Sequence, residues 1–374
     1  MVSRIHGRIL HDLLRTFVLG CLVVLGILAI GQLSQLLSQV ASGRLPLGVT
    51  LQLLGLATPT LLVTVLPLAF FFSVYLVFSN LYRSNEMIAI RSAGLSLLDL
   101  LRALLLPILA IAILEALLSL SWSPAAQRQL QAESLRLANA AAQALIQPGS
   151  FARIAGGRIL YVGESAPGSE HRYREIFVDL GGKGGPDIAT AAYGEIRKDS
   201  DGGIALVLIQ GHRYLGQPGT AGFKILSFAH YRIALAAPGQ GASSGGIHWA
   251  ALSLPQLLQA LHEPQQARHA LSELEWRLIW PLLIPILALL AIPLAFGGPR
   301  GAGRATGALL GILTLLAANN LLVFLKEGIA QGRIGGFPGL FWVLLLLGAL
   351  AGYAFWRRQG DRPVLPAWLG LLRP

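Results

Sequence analysis

The segment "SNLYRSNEMIAIRSAGLS", Ser79 to Ser96, decides the fold, because it places charged residues between two long apolar runs. The run before it, roughly Leu54 to Leu81, and the run after it, roughly Ala103 to Ser121, each approach or exceed the about 20 apolar residues that cross a bilayer. The charged residues of the segment are Arg83, Glu86 and Arg91. Because charges are costly in hydrocarbon, we expect the segment to connect two spans at the membrane surface.

The composition indicates a membrane protein, since 54% of the 374 residues are hydrophobic and only 13% are charged. The net charge of +11 raises the question of nucleic acid. The Lys and Arg residues are nevertheless scattered beside apolar runs, with no basic stripe, so we expect no nucleic-acid partner. The single cysteine, Cys21, forms neither an intrachain disulfide nor a cysteine-based metal site.

Six segments are predicted to span the membrane. They are roughly Thr16 to Leu37, Leu54 to Leu81, Ala103 to Ser121, Leu278 to Phe296, Ala305 to Leu325, and Phe337 to Trp356. Lys and Arg are retained on the cytoplasmic side, and most arginines that flank these spans fall there when both termini are cytoplasmic. The short outer loops then hold only Arg44, Lys326 and Arg333. We therefore expect both termini inside.

The chain between the third and fourth spans, residues 122–272, is of a different kind. It begins with a predicted helix, continues through short β-type runs such as "RILYVGE" and "IALVLIQGHRYLG", and reaches a flexible linker at Pro238 to Gly246. Short strands at this spacing predict an all-β sandwich or open barrel, which the topology places outside the cytoplasm. The expected domains are thus residues 1–121, with spans one to three, residues 122–272, and residues 273–374, with spans four to six and a cytoplasmic tail.

The sequence lacks the motifs of an enzyme or an ATPase. No Walker A pattern occurs, and the glycine-rich "GGPRGAGRATG", Gly297 to Gly307, has no Lys-Ser/Thr ending and follows no strand. No H-E-x-x-H or G-x-S-x-G motif is present. We expect no cofactor in this chain, with ATP bound by a partner subunit. Within the bilayer, Glu115 is expected to reach water or a neighbouring helix, and Asn319 and Asn320 to hydrogen-bond between helices.

The charged segment itself predicts a short cytoplasmic helix over residues 84–93. Ser84 is suited to cap its start, Glu86 falls in its first turn and Gly94 is placed to end it. Glu86, Ile90 and Ala93 share one face, which Arg83 and Arg91 flank. One reading is a solvated connector, and the other is a docking surface for a cytosolic ATPase.

Several motifs, in order along the chain, resemble the LptF/LptG family of lipopolysaccharide export permeases. They are "LPL" at Leu66 to Leu68, "LYRSNEMIAIRSAGLS" at Leu81 to Ser96, "GSF" at Gly149 to Phe151, "ILYVGES" at Ile159 to Ser165, "ELEWR" at Glu273 to Arg277 and "PLAFGGPRGAGR" at Pro293 to Arg304. The resemblance covers essentially the whole chain. The "PR" and "GR" turn and "FLKEG" at Phe324 to Gly328 are more similar to the F-type members.

The resemblance implies an α-helical protein of the bacterial inner membrane, with six transmembrane helices and an inserted periplasmic all-β, jellyroll-like domain. It implies a heterodimer with an LptG-like permease on an LptB-like homodimeric ATPase, and handover of lipopolysaccharide to a single-span LptC-like bridge and a periplasmic LptA-like protein. The coupling-helix carboxylate of the family falls on Glu86, with Arg83, Ile90 and Arg91 beside it. Spans one and five are implied to be lateral gates.

The resemblance also directs attention to a lipid path. Where the family places a basic residue in the outer half of span one, this chain reads "GQLSQLLSQ", Gly31 to Gln39, so Gln32 and the later Arg44 are the candidates there. The β-domain candidates for an apolar slide are Ile159, Tyr161, Phe177, Leu206, Leu208 and Phe228. The alternative for each is a place in a closed core, because alternation gives one buried face in either case.

Two other classes of function remain open on the sequence. One is a membrane-anchored assembly or signalling protein whose periplasmic β domain binds a protein partner. The other is a membrane enzyme that acts on lipid. Co-purification with a cytosolic ATPase favours the exporter, and product formation by the isolated chain favours the enzyme.

Overall fold

The computed structural model describes residues 2–41, 47–144, 148–153, 157–165, 172–181, 186–198, 204–217, 219, 222–235, 248–296, 302–335 and 339–360. Arg44, the predicted linker at residues 238–246 and the predicted turn at residues 297–301 lie outside these ranges. The chain divides into two compact units. The first comprises residues 1–35, 51–128 and 249–374, and the second residues 36–50 and 129–248. The second unit is thus shorter at its carboxyl end than the predicted domain 122–272.

The first unit is helical. Its helices are α1 (Val2–Ala41), α2 (Thr50–Arg83), α3 (Glu86–Ser92), α4 (Leu97–Leu117), α5 (Ser123–Ala144), α6 (Leu254–Ala260), α7 (Ala267–Leu294), α8 (Ala302–Ala330) and α9 (Phe341–Gln359), although the ends of α1 and α5 belong to the second unit. A π-helical turn, Leu118–Trp122, joins α4 to α5, and a 3₁₀ turn, Trp249–Ala251, precedes α6. Long apolar sequences favour helices in a membrane because every backbone group is then paired internally.

Among the described residues, five helical segments are long and apolar enough to cross a membrane. They are Gly7–Ala41, Leu47–Arg83, Leu97–Leu137, Ala267–Leu294 and Gly307–Ala330, and they overlap the first five predicted spans. The sixth prediction overlaps α9, whose last turn carries Arg357 and Arg358. Because α9 is not among the five, the count of six spans is not confirmed.

Helix α7 lies at the centre of the first unit and packs against α4, α8 and α9. Aromatic side chains of α2 complete the core, and Phe70, Phe71, Tyr75 and Phe78 are almost wholly inaccessible. Glycines allow close helix approach here. A Cβ on Gly311 of α8 would lie 2.5 Å from the Phe71 ring, so the residue at this position must be small.

Proline creates one specific polar contact in this core. Pro281 of α7 has no N–H, so the carbonyl of Arg277, one turn earlier, lacks its helical donor. The hydroxyl of Ser119, in the π-helical turn, donates to that carbonyl at 2.9 Å. The two helical segments are therefore joined by a hydrogen bond at the point where α7 cannot satisfy itself.

The second unit contains a six-stranded antiparallel sheet in the order β1-β2-β3-β4-β5-β6. The strands are β1 (Ser150–Arg153), β2 (Ile159–Ser165), β3 (Arg172–Asp179), β4 (Asp187–Lys198), β5 (Ile204–Leu215) and β6 (Lys224–Ala234). Each strand pairs with its neighbours in sequence. The expected antiparallel β structure is confirmed. The crossover connections of a jellyroll do not occur among the described strands, so that finer prediction is not confirmed.

One row across the sheet interrupts the pairing. It consists of Gly163, Glu175, Ala192, Gln210 and Ala229, while the residues on both sides of it stay in register. Glu175 and Gln210 have φ of 54°, in the left-handed region, which an extended strand does not use. We call this row the crease.

The crease shifts the alternation of buried and exposed side chains by one residue. In β3, Arg174 and Glu175 are both exposed, while Tyr173 before them and Ile176 after them are buried. The apolar cluster contains residues from both sides of the crease, including Tyr173, Val178, Leu206 and Leu208. We call the face of the sheet that carries this cluster the inner face, and the opposite face the outer face.

Candidate functional site

Helix α3 is the predicted coupling helix, shorter at both ends than expected. Its start is set by Asn85, which adopts φ of 58° and ends α2 with a left-handed residue. Ser84 instead donates from its hydroxyl to the carbonyl of Asn80 at 3.0 Å. The prediction of Ser84 as the cap is therefore wrong, because its hydroxyl and its backbone N–H both bond back to Asn80 in the last turn of α2. Gly94, with φ of 84°, follows the helix as predicted.

One face of α3 anchors it to the core. Met87 and Ile90 are 1% and 6% exposed and pack within the main apolar cluster. Ile90 was expected on the docking face with Glu86, and the structure instead turns it inward. Ile88, 65% exposed, is the large apolar side chain on the outer side. Ile88 was not among the predicted residues, although its spacing from Met87 and Ile90 excludes it from their face.

The charged residues of α3 have unequal contacts. Glu86 approaches Arg8 of α1, with 3.5 Å between Oε1 and Nη2. Arg91 donates to the carbonyl of Gln359, at the end of α9, at 3.3 Å. Arg83, at the end of α2, is exposed. The structure thus brings α3 beside both α1 and α9, and leaves the Glu86 carboxylate partly open to solvent.

A capping box fixes the chain after α3. The Ser96 hydroxyl accepts from the Asp99 N–H at 3.2 Å, and the Asp99 carboxylate accepts from the Ser96 N–H at 3.0 Å. This reciprocal pair satisfies backbone donors at the start of α4. The entry angle of α4 relative to α3 is therefore set locally, within four residues.

The helices expected as gates are the least buried. In the most apolar stretch of each helix, 11% of the α1 residues and 17% of the α8 residues are buried, compared with 67% in α2. Gln32 of α1 is half-buried and belongs to the helical unit. In α8, Asn319 and Asn320 are exposed, and the Asn320 amide donates to Leu316 in its own helix at 2.8 Å. This contact lies within α8 and is not the predicted hydrogen bond to another helix.

Glu115 was expected to reach water or a neighbouring helix, and because it is wholly buried it does not reach water. Neither of its carboxylate oxygens has a hydrogen-bond partner in the described part of the chain. It lies on α4, one turn before Ser119.

An ionic cluster that was not predicted is centred on the "ELEWR" motif and also includes Lys326. Glu273, 5% exposed, accepts from Arg277 at 3.0 Å and from Lys326 at 2.8 Å. The Arg277 guanidinium also donates to the carbonyls of Trp249, Ala250 and Leu252 at 2.9–3.1 Å. The motif was noted only as a family resemblance; its i, i+4 Glu and Arg were the available signal.

The β-domain candidates for a lipid path do not share one face. Leu206 and Leu208 are fully inaccessible within the inner cluster, and Phe228 packs against that cluster. Ile159, Tyr161 and Phe177 alternate with buried residues and lie on the outer face, only partly buried. The six residues are therefore brought together as two groups on opposite faces of the sheet.

The sheet is fastened beside these residues by one strong pair. Arg213 donates twice to the Asp187 carboxylate, at 2.8 and 2.7 Å. These hydrogen bonds raise the pKa of Arg213 above its usual value. The bidentate geometry is the strong form of such a pair, and it joins the end of β5 to the start of β4.

The described residues contain no group of three or more His, Cys, Asp or Glu arranged to hold a metal ion. The arrangement instead consists of a charged surface helix, exposed membrane helices and a sheet with one apolar face.

Comparison with known proteins gives a consistent result. The family model described as "Lipopolysaccharide export system permease LptF/LptG" matches residues 8–357. The lipopolysaccharide export system permease protein LptF of Escherichia coli (strain K12) is 26% identical over 330 residues, which cover 86% of each chain. LptF of Shigella flexneri is similar to the same extent. The resemblance seen in the sequence is confirmed, and the chain belongs to the LptF/LptG family of lipopolysaccharide export permeases.

Proposed function

We propose that this lipopolysaccharide export permease is the non-catalytic membrane subunit of an ABC-type exporter, which extracts lipopolysaccharide from the inner membrane and passes it to a periplasmic bridge. Removal of a multi-acyl lipid from its bilayer costs about 0.8 kcal/mol per CH₂, so extraction requires an energy source. In this proposal the permease itself hydrolyses no ATP, and ATP is bound by a partner subunit.

The observation that carries the proposal is the arrangement of α3. Met87 and Ile90 bury the side of α3 that faces the core, while Glu86 and Ile88 remain accessible on its opposite side. A partner that docks on Ile88 and Glu86 would push on a helix that is packed into the core. Force would then reach the core through Met87 and Ile90, and α9 through the Gln359 carbonyl that accepts from Arg91.

The partners follow from the same proposal. They are a related LptG-like permease, an LptB-like homodimeric ATPase, a single-span LptC-like bridge and a periplasmic LptA-like protein. The proposed topology has six spans, with α9 as the sixth, both termini in the cytoplasm and the sheet in the periplasm. The exposed faces of α1 and α8 are assigned to the second permease and to the lipid.

The test is Glu86→Ala in the permease complex reconstituted in proteoliposomes with its ATPase. We expect normal membrane insertion and heterodimer formation, together with weakened ATPase binding or ATP hydrolysis that no longer drives lipopolysaccharide release. Asp12→Ala is the matched control, because Asp12 is an exposed carboxylate on α1 outside α3.

Normal export by the Glu86→Ala complex would return α3 to the role of a connector. If the wild-type chain binds neither an ATPase nor lipopolysaccharide, but still binds a periplasmic protein, the assembly or signalling function would replace the exporter.

A further inference from the structure

We propose that a concavity on the outer face of the sheet binds a saccharide, and that it takes the oligosaccharide part of the exported glycolipid. The concavity measures about 510 Å³ and lies along the crease. Side chains from four strands reach it, namely Tyr161, Glu175, Phe177, Thr190, Gln210 and His212. This inference deepens the proposed function and rests on it for the source of the sugar.

The backbone supplies the first argument. Glu175 and Gln210 both line the concavity and both have φ of 54°. Left-handed backbone is unfavourable for any residue with a Cβ, and glycine adopts it freely. The chain has 43 glycines and uses several at other left-handed positions, yet it places a carboxylate and an amide here. Strained residues of this kind are found where a side chain serves a ligand.

The two aromatic rings supply the second argument. Tyr161 and Phe177 are direct cross-strand partners on β2 and β3, and both are only partly buried. The Tyr161 ring is held by that of Phe151, with 4.8 Å between centroids. Cross-strand aromatic neighbours give a rigid apolar platform, and a pyranose ring presents a matching apolar C–H face.

The polar groups define the ligand more closely. The Glu175 carboxylate, the Gln210 amide and the Thr190 hydroxyl provide acceptors and donors, which suit the hydroxyl rim of a sugar. The His212 imidazole is oriented by a 3.1 Å contact between Nδ1 and the Ser227 hydroxyl. The described residues that line the concavity include neither Lys nor Arg. A phosphate group would be unpaired there beside Glu175, so the neutral hydroxylated part of the glycolipid fits and its phosphates do not.

The apolar inner face lies on the opposite side of the sheet, where Leu206 and Leu208 are buried. Glu175, Thr190, Gln210 and His212 are not part of its cluster, although Ile176 and Ala191 belong to that cluster and also border the concavity. Polar side chains from several strands line the concavity, whereas the inner cluster is apolar, so an acyl chain is better matched to the inner face. The two faces of one sheet are thus suited to the two chemical parts of one glycolipid.

The test uses the full-length permease in detergent micelles and saturation-transfer NMR. The probe is the lipid-free oligosaccharide that mild acid releases from rough-type lipopolysaccharide. We expect transfer to its ring protons, and an apparent affinity roughly tenfold weaker in Glu175→Gln and in Tyr161→Ala. Glu175→Gln preserves size and backbone, so it guards against a variant that fails to fold.

Matched controls lie on the same sheet outside the concavity. Glu195→Gln and Tyr193→Ala remove a carboxylate and an exposed ring from β4, and we expect wild-type transfer in both. The absence of transfer in the wild type, or equal affinity in Glu175→Gln, would overturn the site. Equal transfer to maltopentaose would overturn its assignment to the glycolipid.

The outcome is independent of the export assay. The NMR measurement needs neither an ATPase nor ATP, so a chain that exports lipopolysaccharide but shows no saccharide transfer contradicts this inference alone. A chain that binds the oligosaccharide but supports no export contradicts the proposed function alone.

Discussion

Two glutamates of the helical unit, Glu86 on α3 and Glu273 on α7, are held in opposite ways. Glu273 is 5% exposed and has two cationic partners within 3.0 Å. Glu86 is 39% exposed, and its ion pair with Arg8 spans 3.5 Å. A buried carboxylate with two cations is expensive to disturb, whereas an exposed pair contributes about 0–1 kcal/mol.

The difference indicates which charges hold the protein together and which are available to a partner. Glu273 and Arg277 fix α7 to α8 and to the turn before α6, where any exchange of partners would leave charges buried and unpaired. Glu86 gives up little when it leaves Arg8, because water replaces the lost contact. A docking carboxylate requires this second arrangement.

The largest expected effect tests the buried side of the comparison. Arg277→Ala leaves Glu273 with Lys326 alone and removes the donor from three backbone carbonyls. We expect a loss of about 3–5 kcal/mol in the free energy of unfolding. Thermal unfolding in detergent measures it.

Arg136→Ala is the matched control, because Arg136 is 79% exposed and pairs with Glu133 at 3.7 Å. We expect a change below about 1 kcal/mol. Equal losses for the two arginines would mean that burial does not distinguish these pairs.

An intermediate effect is expected at the contact that compensates Pro281. Ser119→Ala leaves the Arg277 carbonyl buried without its donor, which costs about 1–3 kcal/mol. Ser84→Ala, where the hydroxyl also bonds a helix carbonyl but is exposed, should change stability by less than about 0.5 kcal/mol. Thermal unfolding of both variants compares a buried with an exposed serine. A neutral Ser119→Ala would show that water satisfies this carbonyl.

The smallest stability effect is expected at the exposed pair. Arg8→Ala should cost no more than about 1 kcal/mol, and addition of salt should reduce even this difference, because exposed charges are screened. Unfolding at low and high ionic strength measures it. A loss as large as that of Arg277→Ala would contradict the comparison and make Glu86 a structural residue.

Much of the architecture followed from apolar run lengths. Five of the predicted spans coincide with long apolar helices, since run length is a local property of the sequence. Gly94 was also predictable, because glycine is favoured where a helix ends in left-handed backbone. Ser84 was not, because α2 extends to Arg83 and Asn85 takes the left-handed position instead.

The errors arose where distant contacts decide. A helical wheel places Ile90 beside Glu86, but only the packing of α3 on the core fixes which of its faces points inward. Glu273 and Lys326 are 53 residues apart, so no local pattern predicts their pair. In the sheet, the alternation of side chains along a strand assigns Tyr161 and Leu208 to opposite faces only if its phase is constant. The crease changes that phase.

The crease also limits how the β domain deforms. Strands β2 to β6 each continue through it, so the parts on either side are made from the same five strands. They cannot separate like two plates of a sandwich, because that would require every strand to break. The inexpensive motion is a change of angle about the row from Gly163 to Ala229, where the ladder is already interrupted. The sheet can therefore bend along the crease while the strand pairing on both sides of it is retained.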